Sequence, residues 1–313
     1  TPPRTARAAP WRRFSVPEPA PLTGPVAVVG LGLMGTAIAG RLLDAGVPTR
    51  VWNRTRSRAD TLLDRGAAWC DEPLAECTLV VTSLYDGAAV RAVMEPWLAR
   101  APAGRFVVDT STVDPETASA MAAAAAARGI GWLDAPISGS SVQTARGEAT
   151  VLVGGEKADV AACAGLWEIL GGRMHHVGGP GSASRMKLVT NLVLGLNRAA
   201  LAEGLVLARV LGIDPAAALA VLRDSPAASR QMETKGPKMV EGDFAVQARL
   251  AQHLKDVRLI LDAAELAAVH LPLADAHRTL LEMAVAAGLG DLDNSAVIAA
   301  YAHPSARPTE PRQ

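Results

Sequence analysis

The sequence predicts a two-domain α/β protein, a doubly wound parallel sheet followed by an all-helical C-terminal domain. Three observations lead there. The 313 residues exceed what one hydrophobic core usually holds, about 250–300 residues. From Pro25 to about Gly181, short apolar runs alternate with stretches of helical spacing, the pattern of βαβ units with helices on both sheet faces. From Ser182 onward apolar residues recur at helical spacing and no strand-like run follows. The change places the sheet domain at 25–181 and the helical domain at 182–303.

Val26–Val29 is too short for a helix and is bounded by Pro25 and Gly30, so it reads as a buried parallel strand. An amphipathic stretch then runs to Gly46. A second strand is expected over Pro48–Asn53 and a helix over Ser57–Arg65. Thr78–Leu84 and Arg105–Asp109 read as strands, and the Ala-rich Pro115–Ala127 as a helix. Trp132–Ala135 and Thr150–Val153 read as further strands, with Ala158–Leu170 helical. Past the turn Gly178-Gly-Pro-Gly181, one long helix is expected from Ser182 to about Leu211. Pro215–Leu222, Gln247–Ala268 and Ala274–Ala287 complete the helical domain. Residues 1–24, rich in Pro and Arg, read as a disordered tail, with an Arg content that transit peptides share. Residues 304–313 read as a second polar tail.

Composition excludes several classes. Acidic and basic residues balance at 31 each, against a bulk electrostatic role on nucleic acid or anionic lipid. Cys70, Cys77 and Cys163 are odd in number and form no CxxC pair, which argues against a disulfide framework or a zinc site and suits a reducing cytoplasm. No run of about 18 uncharged apolar residues suggests a membrane span. Half the residues are hydrophobic and only 4% aromatic, so Leu, Val, Ile and Ala must fill the core.

The chemistry starts at Gly30-Leu31-Gly32-Leu33-Met34-Gly35. This G-x-G-x-x-G sits between a predicted strand and a predicted helix, the context of a Rossmann-type dinucleotide site. The first glycine makes the tight turn, the second admits a pyrophosphate, and the third lets helix and strand pack closely. The helix N-terminus supplies free N–H groups to the phosphates. At the end of the next strand NAD enzymes carry an acid for the ribose 2′-hydroxyl. Here the strand runs into Asn53-Arg54-Thr55. A guanidinium there suits a 2′-phosphate, with Asn53 and Thr55 as further donors, so NADP is expected over NAD.

Three more segments carry candidate function. Asp109–Pro115 lies at a strand's C-terminal end, where open α/β sheets bind ligands; it also reads as a helix start capped by Asp114 or Thr112. Asp134-Ala-Pro-Ile-Ser138-Gly139-Ser140-Ser141 is a turn rich in N–H and hydroxyl donors, able to hold a carboxylate or to serve as a plain polar loop. In Gly178–Asn191, Lys187 and Asn191 stand four apart on one helix face among core-like apolar residues. A lysine facing a cleft there can have its pKa lowered, as acid/base catalysis wants. His175 and His176 are adjacent and on a strand would face opposite ways, so a shared metal is not expected. His253 and His270 read as structural.

Taken together, the chain resembles the β-hydroxyacid dehydrogenase family, which includes 3-hydroxyisobutyrate dehydrogenase, tartronate semialdehyde reductase and the glyoxylate/succinic semialdehyde reductases. The resemblance covers about Pro25 to Tyr301. It rests on Gly30–Gly35, on Asp134–Gly139 with Ala145 and Gly147, on Gly178–Asn191, and on Lys255-Asp256, in that order. It implies Lys187 as general acid/base, and Asn191 with the Ser138–Ser140 loop as ligands of the substrate carboxylate and hydroxyl. It further implies that Leu84, Tyr85 and Thr112 line the nicotinamide side, that Lys255 reaches the cofactor, and that the chain forms a homodimer or homotetramer on a small hydroxy acid or semialdehyde. Tyr85 and Ser140-Ser141 depart from the residues usual in the family, which leaves the substrate open.

Two other activities share this outline. Imine reductases have the fold and the NADPH preference but typically carry Asp or Tyr in place of the lysine. The dehydrogenase-like modules of some chromatin proteins bind NADP without catalysis and lose the lysine too. A 6-phosphogluconate dehydrogenase would need a helical domain much longer than residues 182–303. Side chains that choose the substrate are expected on the helical domain, at positions such as Asn197, Met232 and Gln247.

Overall fold

The computed structural model describes residues 22, 24–171 and 173–302. The readings of the two tails lie outside the described residues, Leu22 and Gly24 apart. The sheet domain runs β1 (Val26–Val29), α1 (Leu33–Asp44), β2 (Thr49–Trp52), a 3₁₀ turn (Arg56–Ala59), α2 (Asp60–Leu63), β3 (Ala68–Trp69) and α3 (Pro73–Glu76). It continues through β4 (Leu79–Thr82), α4 (Gly87–Leu98), β5 (Phe106–Asp109), α5 (Pro115–Ala126), β6 (Gly131–Asp134), β7 (Ile137–Ser138) and α6 (Ser141–Ala145). It closes with β8 (Thr150–Gly154), α7 (Lys157–Ala162), α8 (Ala164–Leu170) and β9 (Arg173–Gly178). The helical domain comprises α9 (Ser182–Val210), α10 (Pro215–Asp224), α11 (Arg230–Thr234), α12 (Gly236–Glu241), α13 (Leu250–Leu266), α14 (Pro272–Ala286) and a 3₁₀ segment, Asn294–Ala302.

Strands β3-β2-β1-β4-β5-β6 lie in that order, all parallel. β8 joins the end of β6 and β7 antiparallel, and pairs β9 in parallel. The parallel strands are buried on both faces, which is why they read as continuous apolar runs. Along β1, Val26 and Val28 enter one core with Ile38, Leu42, Leu166 and Trp167. Ala27 and Val29 enter the other with Val90, Met94, Trp97 and Met121. Successive side chains point to opposite faces, so α1 and α8 cover one face while α4 and α5 cover the other. A third core, with Leu201, Leu205, Leu219, Leu254, Leu281 and Val297, fills the helical domain.

The structure departs from the sequence expectations at particular places. Ser57–Arg65 is a 3₁₀ turn followed by one short helical turn, where Arg56 stacks on the Trp69 ring at 4.5 Å. Helix α4 was not expected: Pro96 sits late in it, and Asp86 caps it by accepting from the Ala89 amide at 2.8 Å. Strand β9 is polar and partly exposed, so backbone pairing to β8 defines it, and side-chain alternation does not. Helix α13 starts at Leu250, because the Gln247 and Ala248 amides are bound elsewhere by Asp293. By length and composition α9 would also pass as a membrane span, a test the expectation from charge had not anticipated. In this fold one of its faces, with Lys187, Asn191, Arg198 and Leu205, is buried.

A candidate active site where the two domains meet

β1 lies between β2 and β4, so the strand order reverses at its C-terminal end, where ligands of such sheets bind. There Gly30 has φ +91°, and an added Cβ would collide with the Ser83 carbonyl. A Cβ on Gly35 would collide with the Gly30 carbonyl oxygen. On Gly32 it would meet nothing within 4 Å. The first and third glycines thus close the turn, and the second faces open space at the N-terminus of α1. Leu31, Leu33 and Met34 complete the loop. The described residues provide what a dinucleotide pyrophosphate needs.

At the end of β2 the structure gives Asn53 a further task. The Asn53 side chain is committed within the protein: its Oδ1 accepts from the Leu31 amide at 3.0 Å and its Nδ2 donates to the Thr55 carbonyl at 2.8 Å. Asn53 therefore braces the glycine loop, and the second N–H of its Nδ2 remains to donate to a 2′-phosphate. Arg54 and Thr55 are exposed, and among the described residues no carboxylate pairs with Arg54.

The catalytic candidates come together on α9. That helix has no cap of its own, since Gly181 at its N-cap lacks a side chain. Asp134, at the end of β6, supplies one: its two oxygens accept the amides of Gly181 and Ser184, each at 2.8 Å. Lys187 follows one turn later, 7% exposed, its Nζ donating to the Ile137 carbonyl at 2.8 Å. Burial brings its ammonium down to about 8; Asp256 pulls it up and Lys255 pushes it down. Asn191, 3% exposed, donates to Asp256 Oδ2 at 2.9 Å. Burial raises the Asp256 carboxyl against the pull of Lys255 and Lys187.

Lys255 reaches across from α13 to the sheet domain. Its Nζ donates to the Thr112 carbonyl at 2.6 Å and the Tyr85 carbonyl at 3.2 Å, and lies 3.1 Å from Asp256 Oδ1. Leu84, Tyr85 and Thr112 thus form one wall, and Lys255 is tied to that wall's main chain. Beneath it, buried Asp109 accepts from Thr82 Oγ1 at 2.7 Å and the Ser111 amide at 3.0 Å, while Ser111 Oγ takes the Leu84 amide at 2.9 Å.

The comparisons with known proteins agree with this geometry. Residues 25–178 match the family described as the NAD binding domain of 6-phosphogluconate dehydrogenase. Residues 181–301 match the NAD-binding domain of NADP-dependent 3-hydroxyisobutyrate dehydrogenase. Glyoxylate/succinic semialdehyde reductase 1 of Arabidopsis thaliana is 34% identical over 281 residues, 88% of this chain and 97% of the relative. The chain belongs to the β-hydroxyacid dehydrogenase family. Among solved structures, 3-hydroxyisobutyrate dehydrogenase of Salmonella typhimurium superposes with TM-score 0.81 at 29% identity, covering 88% of this chain and 99% of that one. Psf3, in complex with NADP+ and 2-OPP, gives TM-score 0.82 at 26% identity, with 88% and 99% covered. As a member of this family the protein is an NAD(P)-binding oxidoreductase.

In this β-hydroxyacid dehydrogenase the loop from Ser138 to Ser141 is partly built into α6. Ser140 Oγ is used as the cap of α6, accepting from the Gln143 amide at 3.2 Å, while the Ser140 amide donates to Gln143 Oε1 at 2.9 Å. Gly139 has φ +157° and is exposed. Ser138, beside the Lys187-bound Ile137, makes no side-chain hydrogen bond among the described residues. The three positions expected to choose the substrate lie in different surroundings. Asn197 is exposed, and Gln247 Oε1 lies 3.4 Å from the buried Lys235 Nζ. Met232 is buried in the helical core.

Sequence reasoning set His253 apart from the motifs. The fold brings it close enough to Lys187 and Arg198 that their charges add to burial in holding its pKa well below the usual value. Gly195 makes this possible, since a Cβ there would lie 2.6 Å from His253 Nε2. Arg198, buried on the same face of α9, has no hydrogen-bond partner for Nε and Nη2 among the described residues. The spacing 187, 191, 195, 198 is helical, which was the available signal. Among the described residues no group of three metal-ligating side chains occurs.

Proposed function

We propose that the protein is an NADP-dependent oxidoreductase that interconverts a small 3-hydroxy acid and its semialdehyde, or a related short carbonyl acid, with Lys187 as general acid and base. The observation that carries this reading is the buried Lys187 on α9, its Nζ 2.8 Å from the Ile137 carbonyl beside Ser138 and its ammonium brought by burial to about 8. An ammonium of that strength is able both to give and to take a proton near neutrality.

In the reductive direction protonated Lys187 donates to the oxygen on which charge develops. In the oxidative direction the neutral amine takes the hydroxyl proton. Asn191, oriented by Asp256, and Ser138 hold the substrate's carboxylate and hydroxyl. The nicotinamide, when bound, supplies or accepts the hydride. Gly30–Gly35 would hold its pyrophosphate, and Arg54 the 2′-phosphate. The free Arg54 and the absence of an acid at Asn53 support NADP over NAD.

Burial of Lys187 without acidic replacement disfavours an imine reductase or a non-catalytic scaffold. The exposed Met186, Val189 and Val193 on α9 support a homodimer through that helix. The three free, buried cysteines suit the reducing cytoplasm as its location. The test is steady-state turnover of glyoxylate, succinic semialdehyde and 3-hydroxyisobutyrate with NADPH or NADP+, against the NAD forms and against a cyclic imine. Turnover of an acid substrate with the phosphorylated cofactor is expected. Turnover of the imine alone, or of none of them, overturns the reading.

A further inference from the structure

A chain of polar contacts crosses from the substrate loop into the core of the helical domain. Ser141, the residue after the α6 cap, donates from Oγ to the Gln247 carbonyl at 3.2 Å. The Gln247 and Ala248 amides donate to Asp293 Oδ2 at 2.9 and 3.1 Å. Asp293 is fully buried. Its oxygens also take the Lys235 ammonium at 2.9 and 3.0 Å, the Ser295 amide at 3.1 Å and the Ser295 hydroxyl at 2.8 Å. Main-chain bonds from Asp293 to Phe244, from Asn294 to Ala248 and from Leu250 to Leu292 fasten the same two segments. A buried carboxylate with this many donors is held in one place. The segment it grips therefore presents the Gln247 carbonyl at a fixed position, and only a residue with a donor at 141 can use it.

We propose that Ser141 and Asp293 are positioning residues for the substrate: through the Gln247 carbonyl they clamp the Ser138–Ser140 loop to the helical domain and set its distance from Lys187. The clamp rests on the reading of that loop as the carboxylate site. It gives Ser141 a task that an alanine, glycine or valine cannot perform. Gln247, with its side chain turned toward Lys235, acts through its main chain.

The experiment compares Ser141→Ala, Ser141→Thr, Asp293→Asn and the double variant Ser141→Ala/Asp293→Asn with the wild type. It measures kcat, KM for the hydroxy acid, KM for NADP+, melting temperature, and hydrogen exchange of amides 138–145. Loss of one hydrogen bond corresponds to about 3- to 10-fold. Ser141→Ala is expected to raise the hydroxy acid KM by that factor with kcat, NADP+ KM and melting temperature little changed, and to speed exchange in the loop. Ser141→Thr, which keeps the hydroxyl, is expected to restore KM. The double variant is expected to be no worse than Asp293→Asn alone, since both act through one carbonyl. Unchanged KM and exchange in Ser141→Ala, or additive losses in the double variant, overturn the clamp. If Asp293→Asn does not fold, the Ala/Thr pair at 141 decides. The exchange readout needs no substrate, so it separates failure of the clamp from failure of the hydroxy acid reading: a wild type that turns over no hydroxy acid while Ser141→Ala still frees the loop overturns the catalytic role, and unchanged exchange overturns the clamp itself.

Discussion

Asp134 and Ser184 are fifty residues apart in the chain, and the carboxylate of the first accepts the amide of the second at 2.8 Å. The same carboxylate takes the Gly181 amide, so the last strand of the parallel sheet caps the helix that carries Lys187. A helix N-terminus leaves amides unsatisfied unless a side chain or solvent reaches them. Here the missing cap comes from another element, and it fixes the helix turn before Lys187 relative to the sheet.

Replacing Asp134 by Ala therefore removes two buried, charge-assisted hydrogen bonds. The expected loss of stability is about 3 kcal/mol or more, read as a lower midpoint in urea. The variant is also expected to lose turnover at temperatures where it remains folded, because the first turn of α9 is no longer anchored. Full turnover with normal stability would separate Asp134 from the placement of Lys187.

The state of Lys187 gives a pH dependence with a definite sign. Its folded pKa of about 8 lies below the ordinary lysine value, so the proton is lost early. Oxidation needs the neutral amine, and kcat/KM for a hydroxy acid should rise as pH passes through about 8. Reduction needs the ammonium and should fall over the same interval. For stability, the unfolded chain holds more protons than the folded one between about 8 and 10.5, so the penalty of burying this ammonium is relieved and the fold gains stability as pH rises there. Lys187→Ala should keep NADPH binding, lose about 10²–10⁴-fold in kcat and lose the step near 8. A variant of near-normal turnover would remove Lys187 from acid/base chemistry.

Much of this architecture is legible from local pattern. Val26–Val29, Leu79–Thr82 and Phe106–Asp109 are apolar because parallel strands are buried on both faces, and the glycine turn between β1 and α1 has its own spacing. What escaped depends on partners distant in sequence. Asn53 looks like a phosphate ligand, and no local pattern shows that its Oδ1 also holds the Leu31 amide. Ser140 looks like a substrate donor, and only the fold shows that its Oγ also accepts an amide as the cap of α6, a five-residue helix that begins at Ser141. His253 has no motif, and only the packing of α13 on α9 at Gly195 brings it near Lys187. Hydrophobic period reports which face is buried; it does not report which polar atom is already satisfied.

Arg54 tests the cofactor choice. It is exposed just past β2 and pairs with no carboxylate among the described residues, so Arg54→Ala should leave the fold and melting temperature unchanged. Removing a charge-assisted contact to a phosphate is expected to weaken NADP+ binding by about 10- to 100-fold, with little effect on NAD+. The ratio of the two KM values measures this directly. An unchanged ratio would place the 2′-phosphate elsewhere.

The glycines of the turn separate folding from cofactor binding. A methyl on Gly35 would run into the Gly30 carbonyl, and backbone there has nowhere to go. Gly35→Ala should cost about 1–3 kcal/mol or more and lower the melting temperature whether or not cofactor is present. Gly32 has φ −76° and ψ −171°, a conformation alanine adopts readily, and its Cβ would meet nothing in the protein. Gly32→Ala should therefore fold with a normal melting temperature and yet bind NADPH poorly, because the methyl occupies the space through which a pyrophosphate approaches the amides of α1. Thermal shift with and without NADPH distinguishes the two: a loss confined to the cofactor-bound state at Gly32, and a loss in both states at Gly35. Equal cofactor stabilisation of Gly32→Ala and the wild type would move the pyrophosphate away from this turn.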